Sequence, residues 1–150
     1  MTSRAVLAAT GVVLALASAC DDSNHLPSTT GTHLVFTQSL PQDGNATLNG
    51  LAALTPEDSP GRDVLRLDED IGVVHHRVLV VVDNATDTIV EVAHAWGPLG
   101  QPPTISTYCS SDSCEGAEFD RLGMMATFHD VVLRGFLPYQ LSTVDGRLTW

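Results

Sequence analysis

After residue 32, apolar and polar side chains alternate with a period of two along most of the chain, the spacing of extended strands that bury one face. The signal is densest over residues 73–96. Val74, His76, Val78, Val80 and Val82 fall on one face of an extended segment, and Val90, Val92, His94 and Trp96 on one face of the next, with Asp83-Asn84-Ala85-Thr86-Asp87 between them. This predicts a β-hairpin, and its valine content predicts central strands. If Val82 faces Thr88 across the turn, then Val80 opposes Val90, Val78 opposes Val92, His76 opposes His94 and Val74 opposes Trp96. A slip of one residue would send the valine rows to opposite faces, so the register is strongly specified.

Other segments repeat the pattern more briefly. Residues 33–38 and 46–54 read as two strands, the second bounded by Asp43-Gly44-Asn45 and by a turn-rich stretch at residues 56–61. Residues 63–68 suggest a short strand that ends in the acidic group Asp68-Glu69-Asp70, expected in a solvated loop because its spacing does not suit a calcium loop. Further extended runs are expected at residues 104–109, 116–120 and 123–133. At the end, residues 141–144 and 147–150 flank Asp145-Gly146, a two-residue turn signal that would place Leu141, Thr143, Leu148 and Trp150 on one face. No segment shows the three-and-four spacing of an amphipathic helix. The expectation is one all-β domain over residues 33–150, an antiparallel, immunoglobulin-like β-sandwich, with a small β-barrel as the alternative.

The first 32 residues follow a different rule. Arg4 precedes an uncharged apolar run at residues 5–17, and Ala17-Ser18-Ala19-Cys20 closes it with small residues. The run is too short to span a bilayer and gives way at once to Asp21, Asp22, Ser23 and Asn24, which is the order of a cleaved secretory signal peptide over residues 1–19. Ending on a cysteine, it resembles the lipobox of bacterial lipoproteins, with Ala17 where that pattern usually has Leu, Val or Ile. The resemblance implies that Cys20 receives a diacylglyceryl group and becomes the mature N-terminus. Residues 20–32, rich in Ser, Thr, Pro and Gly, then read as a tether. An ordinary secreted protein cut near Ala19 is the alternative. From Cys109 onward, the order of cysteine pair, Gly116, Asp120, Thr127-Phe128, Val132-Leu133 and Gly146-Arg147-Leu148-Thr149-Trp150 resembles β-rich lipoproteins of GC-rich bacteria such as myxobacteria. That likeness covers about a third of the chain and implies a fold and an address in the cell envelope, with no activity attached.

Composition narrows the function classes. Seven basic residues stand against eighteen acidic ones, a net charge of −11. Loss of residues 1–19 would leave 131 residues and remove Arg4 alone among the charges, taking the balance to −12. Such a surface repels nucleic acid and anionic headgroups. Every basic residue is an arginine, so Schiff-base chemistry and a phosphate-loop lysine are excluded. Of the three cysteines, Cys109 and Cys114 are spaced as a short disulfide turn and do not form a CxxC redox motif. No GxSxG elbow and no HExxH zinc motif occurs, so no catalytic residues and no cofactor are assigned. Tyr108, Tyr139, Trp96 and Trp150 offer a sugar-binding surface as one reading and packing as the simpler one. The expected register brings two imidazoles close enough to share an ion. His129, on another extended run, is then the candidate third ligand that zinc requires; the simpler reading leaves the histidines hydrogen-bonded to backbone or water. The sequence thus suggests a membrane-anchored envelope module for a protein or glycan partner, with a metal-binding histidine protein as the alternative.

Overall fold

In the computed structural model, residues 31–39, 44–57 and 60–150 are described. The expected signal peptide, Cys20 and nearly all of the expected tether fall outside them. Ten strands run β1 (His33–Gln38), β2 (Ala46–Leu48), β3 (Ala53–Pro56), β4 (Arg62–Ile71), β5 (Val74–Asp83), β6 (Thr88–Pro98), β7 (Ile105–Ser110), β8 (Ala117–Asp120), β9 (Met125–Gly135) and β10 (Leu141–Thr149). They form one antiparallel sheet in the order β2-β1-β10-β9-β7-β6-β5-β4-β3, with β8 pairing to β9. The described residues are all-β, as their periodicity predicts. Their layers come from one sheet curled into a half-barrel, the small-barrel alternative, and not from two separate sheets.

Two contacts establish the curl. Phe36 on β1 stacks on His94 of β6 with ring centroids 3.9 Å apart, although β10, β9 and β7 lie between those strands in the sheet. The two edge strands, β2 and β3, are also joined by only residues 49–52, a span of at most about 18 Å. That crossing is fixed from both sides. Glu69 on β4 accepts hydrogen bonds from the backbone N–H of Asn49 and Gly50, each at 2.9 Å, and the Ala52 N–H donates to the Thr149 carbonyl at 3.0 Å. The concave side holds the core, in which Leu34, Phe36, Leu48, Leu65, Leu67, Val78, Val80, Val92, Phe128, Leu133 and Leu148 are buried. Each such side chain contributes roughly 1.5–3 kcal/mol relative to exposure.

The central hairpin forms, but with a register two residues from the expected one. Val78 pairs with His94, Val80 with Val92 and His76 with Trp96. The cause is a bulge: between Val81/Glu91 and Val82/Ile89 the partner strand carries the extra residue Val90. A shift of two preserves the faces, so His76 and His94 still point to one side. The turn at residues 84–87 is capped by Asp83, whose Oδ1 accepts from the N–H groups of Ala85 and Thr86 at 2.9 and 3.1 Å and holds the carboxyl below the usual range.

Three further expectations change. The run at residues 46–54 splits into β2 and β3, which lie at opposite edges of the sheet. The acidic group belongs to strand β4. There Asp68 is hydrogen-bonded to Arg66, to Arg77 at 2.7 Å and to His75 at 3.2 Å, while Asp70 meets His75 at 2.6 Å. Burial opposes ionisation of Asp68, but the two arginines hold its carboxyl below the usual range. Finally, Asp145-Gly146 is not a hairpin turn. β10 runs straight through it, paired with β1 on one side and β9 on the other. His129 and Asp130 of β9 bulge opposite Asp145, Asp130 adopts φ 52°, and its N–H donates to Asp145 Oδ1 at 2.8 Å. Ser142, Val144 and Leu148 therefore face inward, in place of Leu141 and Thr143. Trp150 still belongs to the fold, stacked on Phe119 at 5.1 Å.

At the start of the domain, Thr32 is buried and its Oγ1 accepts the Thr149 N–H at 3.0 Å, so the fold begins one residue before β1. At the far end of the hairpin, Arg121 donates to Asp63 at 2.8 Å, Asp87 at 2.7 Å and Asn84 at 3.1 Å, tying the β8–β9 turn to β4 and the β5–β6 turn. Its hydrogen bond holds the Asp63 carboxyl below the usual range.

Cys109 and Cys114 are joined by a disulfide, S–S 2.06 Å, with both residues in the core. The turn between them closes through the Ser113 and Cys114 N–H groups on the Ser110 carbonyl at 2.6 and 3.1 Å. It carries the chain from β7 to β8, the two strands that share the same edge of β9. A loop this short restricts the unfolded chain weakly. Reduction is therefore expected to cost about 2 kcal/mol and leave the fold intact, measured as a shift in urea midpoint with and without reductant; an unchanged midpoint would contradict it.

Candidate functional site

The half-barrel interior is aliphatic through most of its depth and polar at one end. Gln38 closes β1, Ser142, the second residue of β10, is its cross-strand partner, Thr107 of β7 pairs with His94 of β6, and His76 lies near the start of β5. All five are buried. Strand alternation turns each of them inward, and the curl brings β1 across to β6, so they form a polar belt around one end of the core.

The belt has a directional centre. His76 Nδ1 lies 3.1 Å from His94 Nε2, and Gln38 Nε2 lies 3.4 Å from His94 Nδ1. An amide nitrogen can only donate, so His94 Nδ1 accepts. The neutral ring then carries its proton on Nε2 and donates it to His76 Nδ1. The two rings are nearly coplanar, at 9°. Phe36 stacks on one side of His94, and Trp96 lies 5.0 Å away. Gly44 covers the end: a Cβ there would fall 2.7 Å from the Trp96 ring and 2.8 Å from Gln38, so only glycine fits.

Burial, followed by the neighbouring His76, pushes the His94 pKa down to about 3. The ring is neutral at physiological pH and offers one donor and one acceptor. Gln38 Oε1, Thr107 Oγ1 and Ser142 Oγ are buried without hydrogen-bond partners. Unsatisfied groups of this kind are uncommon in folded interiors and each costs about 1–3 kcal/mol.

No protein-family model, curated protein or solved structure matches this chain. The site therefore has to be read from its own residues.

His76 and His94 come together as the periodicity suggests, as hydrogen-bonded diagonal neighbours and not as directly opposed partners. His129 does not join them. It sits exposed in the β9 bulge, its N–H donating to the Gly116 carbonyl at 2.9 Å, beside an outer hollow of about 600 Å³ that Asp112, Glu115, Asp130 and Arg134 also line. Among the described residues, no three His, Cys, Asp or Glu side chains are placed to hold a metal ion. Two imidazoles alone fall short of the three protein ligands that zinc takes. The aromatic residues divide: Trp96 and Trp150 pack, whereas Tyr108 and Tyr139 are exposed.

Gln38, Thr107 and Ser142 were missed in the sequence reading. The signal was present, because Gln38 continues the inward series Leu34, Phe36 and Ser142 precedes Val144 by two. A polar residue in phase with a core row is the mark of a buried polar contact.

Proposed function

We propose that this protein is an extracytoplasmic lipoprotein, a non-enzymatic β-domain held at a bacterial membrane by lipid on Cys20 and offering its surface to a protein or glycan partner. One observation carries this reading: the order of Arg4, an uncharged run at residues 5–17 and Ala17-Ser18-Ala19-Cys20 before an acidic, turn-rich stretch. The Cys109–Cys114 disulfide supports it, since such bonds persist in oxidising compartments outside the cytoplasm. The excess of acidic over basic residues agrees with a partner other than nucleic acid.

The anchor is testable by partition. The two acyl chains of a diacylglyceryl group at Cys20 supply the two signals that stable anchoring needs, so native protein should enter the detergent phase of a Triton X-114 separation and resist a salt wash. A Cys20→Ser variant should lose the lipid and stay with unlipidated species by mass. Native protein found wholly in the aqueous phase contradicts the anchor.

A further inference from the structure

The hairpin that joins β9 to β10 exposes apolar side chains that packing inside the domain does not account for. Phe136 is 96% exposed, and Leu137 and Tyr139 are exposed beside it. At its base, Arg134 pairs across β7 with Tyr108, which is also exposed, and across β10 with Leu141. We propose that this hairpin is a membrane-interface contact that places Phe136 among the lipids of a zwitterionic bilayer, with Tyr108, Tyr139 and Arg134 at headgroup level. The proposal takes the protein's nearness to a membrane from the lipoprotein reading and adds a second, independent point of contact.

Charge selects this site over the other exposed apolar residues. Between Asp130 and Asp145 the chain carries Arg134 and no acidic residue. Val73 and Ile71, by contrast, follow Asp68, Glu69 and Asp70, and Leu122 follows Asp120. Pressing either of those against lipid would desolvate carboxylates. Arg134 also lines the outer hollow with Asp112, Glu115 and Asp130, whereas Phe136, Leu137 and Tyr139 do not. Because the whole chain is at −11, the favoured surface is zwitterionic and not anionic.

The turn is also prepared for an apolar setting. The Gly135 N–H donates to the Gln140 carbonyl at 2.7 Å, the Gln140 N–H to the Leu137 carbonyl at 2.9 Å, and the Leu137 N–H to Gln140 Oε1 at 3.2 Å. Ser39 Oγ donates to the Tyr139 carbonyl at 2.7 Å. Backbone groups satisfied within the protein lose little on leaving water. Tyrosine and arginine around an apolar tip match the layering of a bilayer interface, in which their polar ends stay wet. Reach permits the contact. β1 starts at the opposite end of the sheet, where His33 pairs with Arg147, and residues 20–33 can extend about 45 Å against about 17 Å for β1 itself.

The test uses the lipidated protein with Phe136→Cys carrying an environment-sensitive fluorophore, in vesicles of phosphatidylcholine and phosphatidylethanolamine that contain nitroxide-labelled lipids. Leu122→Cys, on the β8–β9 turn at the other end of the sheet, is the control. A blue shift and loss of emission at position 136, with position 122 unchanged, is the expected result. Emission at 136 that stays at its aqueous wavelength overturns the proposal. A blue shift that persists without vesicles, or without nitroxide quenching, also overturns it, because protein and not lipid then covers the hairpin. Failure here leaves the anchor standing, whereas absence of lipid on Cys20 by mass removes the anchor and, with it, the nearness to a membrane that this contact needs.

Discussion

Replacing Gly146 with alanine is expected to lower stability by about 3 kcal/mol or more, with loss of order where β1 meets β10. Gly146 adopts φ 111°, and a Cβ built there would lie 2.0 Å from the His33 carbonyl oxygen and 3.4 Å from the Leu34 Cα. Alanine would thus meet two costs, a backbone conformation that L-residues avoid and a clash that only moving β1 can relieve. Gly61 separates them, because it also has positive φ, 87°, but nothing lies within 4 Å of its Cβ position. Gly61→Ala should cost only about 1 kcal/mol. The check is urea denaturation of both variants with amide exchange on β1. Equal losses would mean that the approach to His33 is not as close as described.

The second large effect is with acid. His94 has a folded-state pKa near 3 against an ordinary value of 6.5. Between those values the unfolded chain binds the proton and the folded chain does not. Stability is therefore full above about pH 6.5 and is lost as pH falls toward 3, reaching about 2 kcal/mol by pH 5. Asp63 and Asp68 also favour the ionised folded state, but their pKa values lie below 3.8, so their loss comes at lower pH. Urea midpoints at pH 7.5, 6 and 5 measure the His94 window. A His94→Phe variant, which keeps an aromatic ring beside Phe36 and Trp96, should show a shallower decline over that range. A wild-type midpoint that does not move between pH 7.5 and 5 would show that His94 is neither buried nor neutral as placed.

Much of the fold was legible because a two-residue period states which face is buried. The strands at residues 33–38, 74–83, 88–98 and 105–110 lie close to where that period puts them. Bulges defeated the finer reading, since each changes the phase of alternation. In β9, Ala126 and Phe128 face inward before the bulge, and Val131 and Leu133 after it. The change from even to odd was visible in the sequence, as was that from Ile89 to Val92, but both pass for continuous apolar runs unless phase is followed residue by residue. Asp145-Gly146 misled for a different reason: a hairpin turn and a strand opposite a bulge both make use of glycine at positive φ. Sequence neighbours β2 and β3 lie at opposite edges because the curl of the sheet, and not local pairing, brings them near.

The histidine contact survived the wrong register because a slip of two leaves inward residues inward. The candidate third ligand, His129, stays apart because it occupies the bulge, the one place on β9 where alternation is suspended. Gln38 entered the site through the curl, which joins β1 to β6 across strands far apart in sequence. Nothing in a list of hydrophobic positions predicts how tightly a sheet curls.

The central functional claim is the lipid on Cys20, and intact-mass analysis of the protein purified from its native membrane tests it most directly. The expected mass is that of a chain beginning at Cys20, with residues 1–19 gone, two protons fewer than the free thiols of Cys109 and Cys114 would give, and the added mass of a diacylglyceryl group. A chain cut near Ala19 that carries an unmodified Cys20 would contradict it.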